Sequence, residues 1–203
     1  MKKRAVHITL AILCVFVLMT ATVLSRQQRA LSEKMIRLHV VANSDTEEDQ
    51  AIKLKVRDAV LQKAEQILTD ADDPKTVLGE DLDEIRITAA ECLDSLGCKD
   101  PVTVRLGKEL FPTREYDTFS LPAGVYESLR VTIGSGDGRN WWCVVFPSIC
   151  VPAGAEDLFT CAASAGFKQD EIRLITTDTP VFEVKFKTME LIQEVKNLIT
   201  GMK

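Results

Sequence analysis

Residues 134–150 read GSGDGRNWWCVVFPSIC, and the way this stretch folds decides the architecture. Residues 126–133 upstream alternate apolar and polar after the turn Pro122-Ala123-Gly124. The glycine-rich loop then leads into the apolar run WWCVVF, a pattern that predicts a β-hairpin. Both tryptophans of the chain, Trp141 and Trp142, stand side by side in it. Adjacent strand residues face opposite sides of a sheet, so one indole is expected in the core and the other on the outer face. An exposed tryptophan is costly unless a partner uses it. A helix laid over that outer face would instead bury both rings.

Outward from this stretch, Met35–Ala42 alternates and is rich in β-branched residues, so it reads as a first strand. Ile36, Leu38 and Val40 share one face, and Arg37 and His39 the other. The segment that follows, NSDTEEDQAIKLKVRDAVLQKAEQIL, is a helix signal, with Ser44 and Glu47 spaced as a capping box. Asp45, Glu47, Glu48 and Asp49 crowd the start, where the helix macrodipole favours negative charge. Leu54, Leu61 and Leu68, with Ala51 and Ala64, are its expected apolar face. A second helix is expected over Pro74–Leu96, ended by Gly97 in a left-handed cap. Val102–Leu106 reads as a strand, Glu156–Ala165 as a short helix, Val181–Lys187 as a last strand and Met189–Ile199 as a closing amphipathic helix. Hairpins and helices without regular βαβ alternation predict an α+β fold with a mostly antiparallel sheet.

The N-terminus sets the compartment. Lys2, Lys3 and Arg4 precede an uncharged apolar run from Ala5 to Leu24. Such a run suits a signal peptide or a signal anchor, and the basic flank stays cytoplasmic. The expected organisation is an export segment over 1–25, a stalk over 26–34 and a single extracytoplasmic domain over 35–203. The whole chain has a net charge of −5, and all 30 acidic residues lie beyond the export segment. Neither nucleic acid nor an anionic surface is invited by such a balance.

Candidate chemistry is sparse. The acidic cluster at Asp45–Asp49 lacks the ligand spacing and glycine of a calcium loop. His39 is the one histidine beyond the export segment, and no CxxC pair is present, so no zinc set is apparent. Gly134–Gly138 resembles a phosphate loop in composition only, because no helix follows it. No metal or cofactor is expected. Five cysteines follow the export segment, an odd number, so at least one is left over from internal pairing. Cys143 and Cys150 flank Pro147 and are expected to close a small loop, although two buried thiols fit the stretch equally well.

Two long stretches, residues 36–61 (IRLHVVANSDTEEDQAIKLKVRDAVL) and 121–150 (LPAGVYESLRVTIGSGDGRNWWCVVFPSIC), together with the basic and apolar N-terminus, resemble the stage II sporulation protein R family. That resemblance implies a signalling protein without enzymatic activity. It implies synthesis in the forespore and export into the space between the forespore and mother-cell membranes. Its partner would be a membrane-embedded aspartic protease, stage II sporulation protein GA, which processes the sigma-E precursor. A non-catalytic activator needs a contact surface. Asn43, Ser44, Asp45 and Asp49 at the helix entry, and Arg139, Asn140, Trp141 and Trp142 at the expected hairpin end, are the candidates. Capping alone is the competing explanation for the first group. Two other classes stay open: a secreted hydrolase using His39 with a cysteine, and a structural protein of the envelope.

Overall fold

The computed structural model describes residues 2–116, 119–147, 160, 162–176, 187–191 and 194–195. Expected elements over 148–159, 177–186 and 196–203, and the position of Cys150, lie outside these residues. The described elements run α1 (Lys2–Glu33), β1 (Ile36–Val41), α2 (Glu47–Leu68), α3 (Pro74–Glu80), α4 (Leu82–Ser95), β2 (Val102–Phe111), β3 (Arg114–Glu115), β4 (Ser120–Leu121), β5 (Gly124–Ile133), β6 (Asn140–Phe146) and α5 (Gln169–Thr176). The class is α+β. Contacts divide the chain into two compact units.

The larger unit, residues 34–109 with 126–166, contains the main sheet in the order β2-β5-β1-β6. β1 runs parallel to β5 and antiparallel to β6. The expected hairpin is therefore absent: β1 lies between the two strands that residues 134–139 connect. The glycine-rich loop crosses the end of β1 and spans two inter-strand spacings, about 10 Å, where a hairpin turn spans one. Nothing local forbade a hairpin. The burial of β1, complete on both faces, outweighed the turn signal.

One face of the sheet carries Ile36, Leu38 and Val40, with Leu129, Val131, Ile133 and Val145, into the helices. From α2 this core receives Val56, Val60, Ala64 and Leu68. Leu54 is exposed and Leu61 only partly buried, so the inward stripe is rotated from the leucine line expected. Lys53, buried with its ammonium on polar partners, occupies the inward position at the start of the helix.

The helix expected over Pro74–Leu96 is two helices, interrupted at Asp81. Asp81 donates its N–H to Val77 and accepts from Ile85, closing one helix and opening the next. Gly79 in the preceding turn is a weak helix former. Leu78, Ile85, Ala89 and Leu93 still face the core, whereas Leu96 is exposed. Gly97 (φ 74°) ends α4 as expected. Cys98 N–H reaches the Leu93 carbonyl and Gly97 N–H the Asp94 carbonyl, the bonding of a Schellman cap.

The smaller unit gathers residues 1–33, 110–125 and 167–203. Here α1 continues without a break through the expected stalk, and Leu31 near its end is fully buried. Gln28 lies against Gly124, where a Cβ would stand 1.8 Å from its Nε2. The apolar part of α1 is exposed all round, from Ile8 to Val23. By length and composition it could cross a membrane, as a signal sequence or an anchor also could.

The two helix faces differ in what they cost to truncate. Ile85→Ala should lower stability by about 2–5 kcal/mol, while Leu54→Ala should stay within about 0.5 kcal/mol. Chemical denaturation of both variants measures this, and equal losses would contradict the burial of Ile85 in α4 and the exposure of Leu54 on α2.

Candidate partner-contact site

Because β1 pairs with β6, the end of β1 and the start of β6 are neighbours, with Val41 opposite Asn140. The candidate groups, nearly a hundred residues apart in sequence, therefore meet at one end of the sheet. Asn43 is the main joint. Its Oδ1 accepts from Ser135 N–H at 3.0 Å, and its backbone carbonyl accepts from Asp137 N–H at 3.1 Å. Gly138 donates to the Ala42 carbonyl at 3.0 Å. A Cβ on Gly138 would stand 2.2 Å from the Ser44 carbonyl oxygen, so this close backbone approach requires glycine.

The entry to α2 is capped two residues beyond the expected capping box. Thr46, not Ser44, is the N-cap, and its hydroxyl accepts from Asp49 N–H. Ser44 instead accepts from Thr46 N–H and donates to the Asp49 carboxylate, which Asn43 Nδ2 also reaches at 3.2 Å. The Ser44 hydroxyl, then Asn43 and Thr46, hold the Asp49 carboxyl below its usual range against an opposing effect of burial. Asp49 is thus a member of the cap network. Charge reversal there disturbs the fold as well as the surface.

Asp45 and Arg139 are the projecting pair. Asp45 Oδ1 accepts from the Arg139 backbone N–H at 2.7 Å and lies 3.5 Å from its Nε, with both side chains more than half exposed. The long ion pair adds little energy in water. Beneath it, Lys53 Nζ donates to the Arg139 carbonyl at 2.9 Å and to Gln50 Oε1 at 2.6 Å. Burial, then the Arg139 charge, lower the Lys53 pKa, while Asp45 partly offsets them. The Gln50 amide closes the arrangement on the Ser44 carbonyl at 2.8 Å.

The two tryptophans point to opposite faces, as alternation requires. Trp141 packs on the helix-side core, with the Arg57 guanidinium 4.7 Å from its ring centre. Trp142 lies on the other face, stacked on His39 at 5.4 Å. Both are half-buried, so neither matches the expectation of one core ring and one open ring.

The face under Trp142 holds a polar cluster that strand alternation alone did not show. Glu109 Oε1 meets His39 Nδ1 at 2.8 Å and Arg130 at 2.6 Å, and its Oε2 accepts from Ser128 at 2.9 Å. His39 Nε2 lies 2.8 Å from Asn140 Oδ1. Burial pulls the Glu109 pKa upward, but His39, Ser128 and Arg130 together outweigh it and bring it down to about 2. Arg37, one step along the same face, is fully buried, with its guanidinium 5.1 Å from the Tyr126 ring centre. The signal legible beforehand was the pair of polar residues inside an otherwise apolar strand.

Among the described residues no group of three or more His, Cys, Asp and Glu side chains could hold a metal. Cys143 is disulfide-bonded, while Cys14, Cys92 and Cys98 carry free thiols. A thiol nucleophile at Cys143 is therefore ruled out, and the Ser128 hydroxyl donates to Glu109 rather than to His39.

Comparison with known proteins agrees with the motifs. The pattern of the stage II sporulation protein R family matches residues 32–155, and the chain belongs to that family. Stage II sporulation protein R of Bacillus subtilis (strain 168) is 37% identical over 134 residues, covering 64% of this chain. The match spans 60% of that relative's length. No solved structure matches.

Glu109 ionises more readily in the fold than in an open chain, so its contribution to stability is full above pH 4.5 and is lost as pH falls towards about 2. A shift of this size corresponds to roughly 3 kcal/mol. Glu109→Gln should be less stable than the parent at neutral pH, with the gap closing on acidification through that window; acid titration of unfolding measures it. Peptide mass mapping without reduction is expected to show Cys143 joined to Cys150, and another partner for Cys143 would replace that pairing.

Proposed function

We propose that this chain is an exported signalling protein of sporulation that switches on the membrane-embedded aspartic protease processing the sigma-E precursor, stage II sporulation protein GA. Family membership over residues 32–155 carries this reading. The apolar α1 supports export from the forespore into the space between the two membranes, as a cleaved signal or a retained anchor. The chain acts by binding, without a reaction of its own. In support, His39 is committed to Glu109 and Asn140, and Cys143 is consumed in a disulfide. The hydrolase reading loses Cys143 as its nucleophile.

An activator that does no chemistry shifts its receptor only by binding the active state more tightly, and each tenfold preference is about 1.4 kcal/mol. The contact surface in this reading is the end of the sheet, with Asp45, Arg139 and Asn140 exposed on a rigid support. Asn43, Ser44, Asp49 and Lys53 form that support.

Expression from a forespore-specific promoter in a strain lacking its own stage II protein R should restore sigma-E reporter activity. Asp45→Lys and Arg139→Glu should each fold and yet lower that activity about tenfold or more. Asp49→Lys should lose about 1 kcal/mol of stability through the cap. Full precursor cleavage by both surface variants would move the contact elsewhere on the domain.

A further inference from the structure

His39 is buried, yet both of its ring nitrogens face oxygen atoms: Nδ1 the Glu109 carboxylate and Nε2 the Asn140 side-chain carbonyl, each at 2.8 Å. An imidazolium donates both hydrogen bonds, whereas a neutral imidazole has one donor and one acceptor. Glu109, ionised and also holding Arg130 and Ser128, can only accept. The proton on Nδ1 is therefore retained in both charge states, and the proton that leaves is the one on Nε2. Without it, Nε2 becomes an acceptor facing another acceptor.

Asn140 can relieve that conflict by turning its amide over. Its two ends have nearly the same shape and opposite hydrogen-bonding character. With His39 charged, Asn140 presents its NH2 group outward; with His39 neutral, the NH2 donates to Nε2 and the carbonyl oxygen faces outward. Asn140 is exposed at the first position of β6, next to Arg139. We propose that the charge state of His39 selects which end of the Asn140 side chain faces outward, so that a buried histidine sets the hydrogen-bonding character of an exposed surface residue. Histidine is the side chain whose charge changes in the neutral range, so acidity in the surrounding space would be read out at this position. The consequence for signalling rests on the reading of this patch as the protease contact; the side-chain exchange does not.

The neighbours keep the device local. Among the described residues, the charged groups on this face beside His39 are Glu109 from β2, Arg130 from β5 and Arg37 from β1 itself. β6 contributes neutral Asn140 and Trp142. Arg130 is bonded to the same Glu109 oxygen as His39, so the carboxylate remains paired when the imidazole loses its proton.

The test uses the full-length chain in detergent micelles with nitrogen-labelled histidine, and His7→Gln removes the only other histidine. Nuclear magnetic resonance across about pH 5–8, the usual range of histidine titration, follows both ring nitrogens and the Asn140 side-chain amide. Nδ1 should stay protonated throughout, Nε2 should lose its proton, and the Asn140 amide protons should shift with the same midpoint. Asn140→Asp places an acceptor-only carboxylate on Nε2 and should keep that nitrogen protonated to higher pH than in the parent. An Asn140 amide indifferent to the His39 titration, or a neutral form protonated on Nε2, would overturn the proposal. In the sporulation reporter, Asn140→Asp should lower sigma-E activity several-fold. Full activity there would remove the exchange from signalling, and the spectra would still decide whether it occurs.

Discussion

β1 is the strand on which the larger unit depends. It lies between β5 and β6, pairs with both, and is buried along all six of its residues. A strand in that position must satisfy its backbone on two sides and fill two faces at once. On the helix side Ile36, Leu38 and Val40 join the core, and the opposite side takes Arg37 and His39 out of water. A buried polar side chain such as His39 is costly unless its hydrogen-bonding groups are met. Glu109, Ser128, Arg130 and Asn140 are recruited from three different strands around His39 for that reason.

The same insertion creates the surface at the end of the sheet. A loop that must pass over β1 cannot be a tight turn, and it meets the backbone leaving β1 as it crosses. Asn43 and Gly138 are the residues where the two segments touch, one by side-chain bonding and the other by having no side chain. Lys53 reaches the loop from the helix layer and His39 from the opposite face of the sheet. Arg139 and Asn140 are consequently held from both sides of the sheet, while their exposed groups remain available. Rigid support of this kind lowers the ordering cost of binding.

Much of the family motif is thereby accounted for by architecture. Asn43, Ser44, Asp49, Gln50 and Lys53 bond to one another or to the crossing loop. The residues that project, Asp45, Arg139 and Asn140, are fewer and stand directly on them. Motif residues that build the platform and motif residues that project from it cannot be separated by type, because both are polar.

The sequence by itself determined the α+β class, the first strand, the presence of a capped helix after it, the glycine end of α4 and the apolar N-terminal helix. These follow from periodicity, capping chemistry and hydropathy, which act over a few residues and are written locally. It also placed the two tryptophans on opposite faces, since alternation is a property of any strand. Only the tertiary structure decided that β1 separates β5 from β6, because a loop of six residues permits either a hairpin or a crossing and the choice is made by what buries β1. From that choice came the union of residues 43–53 with 134–140, and the Glu109–His39–Asn140 chain. Glu109 gave no signal of its own, being one acid among many until pairing with a distant strand placed it beside the buried histidine.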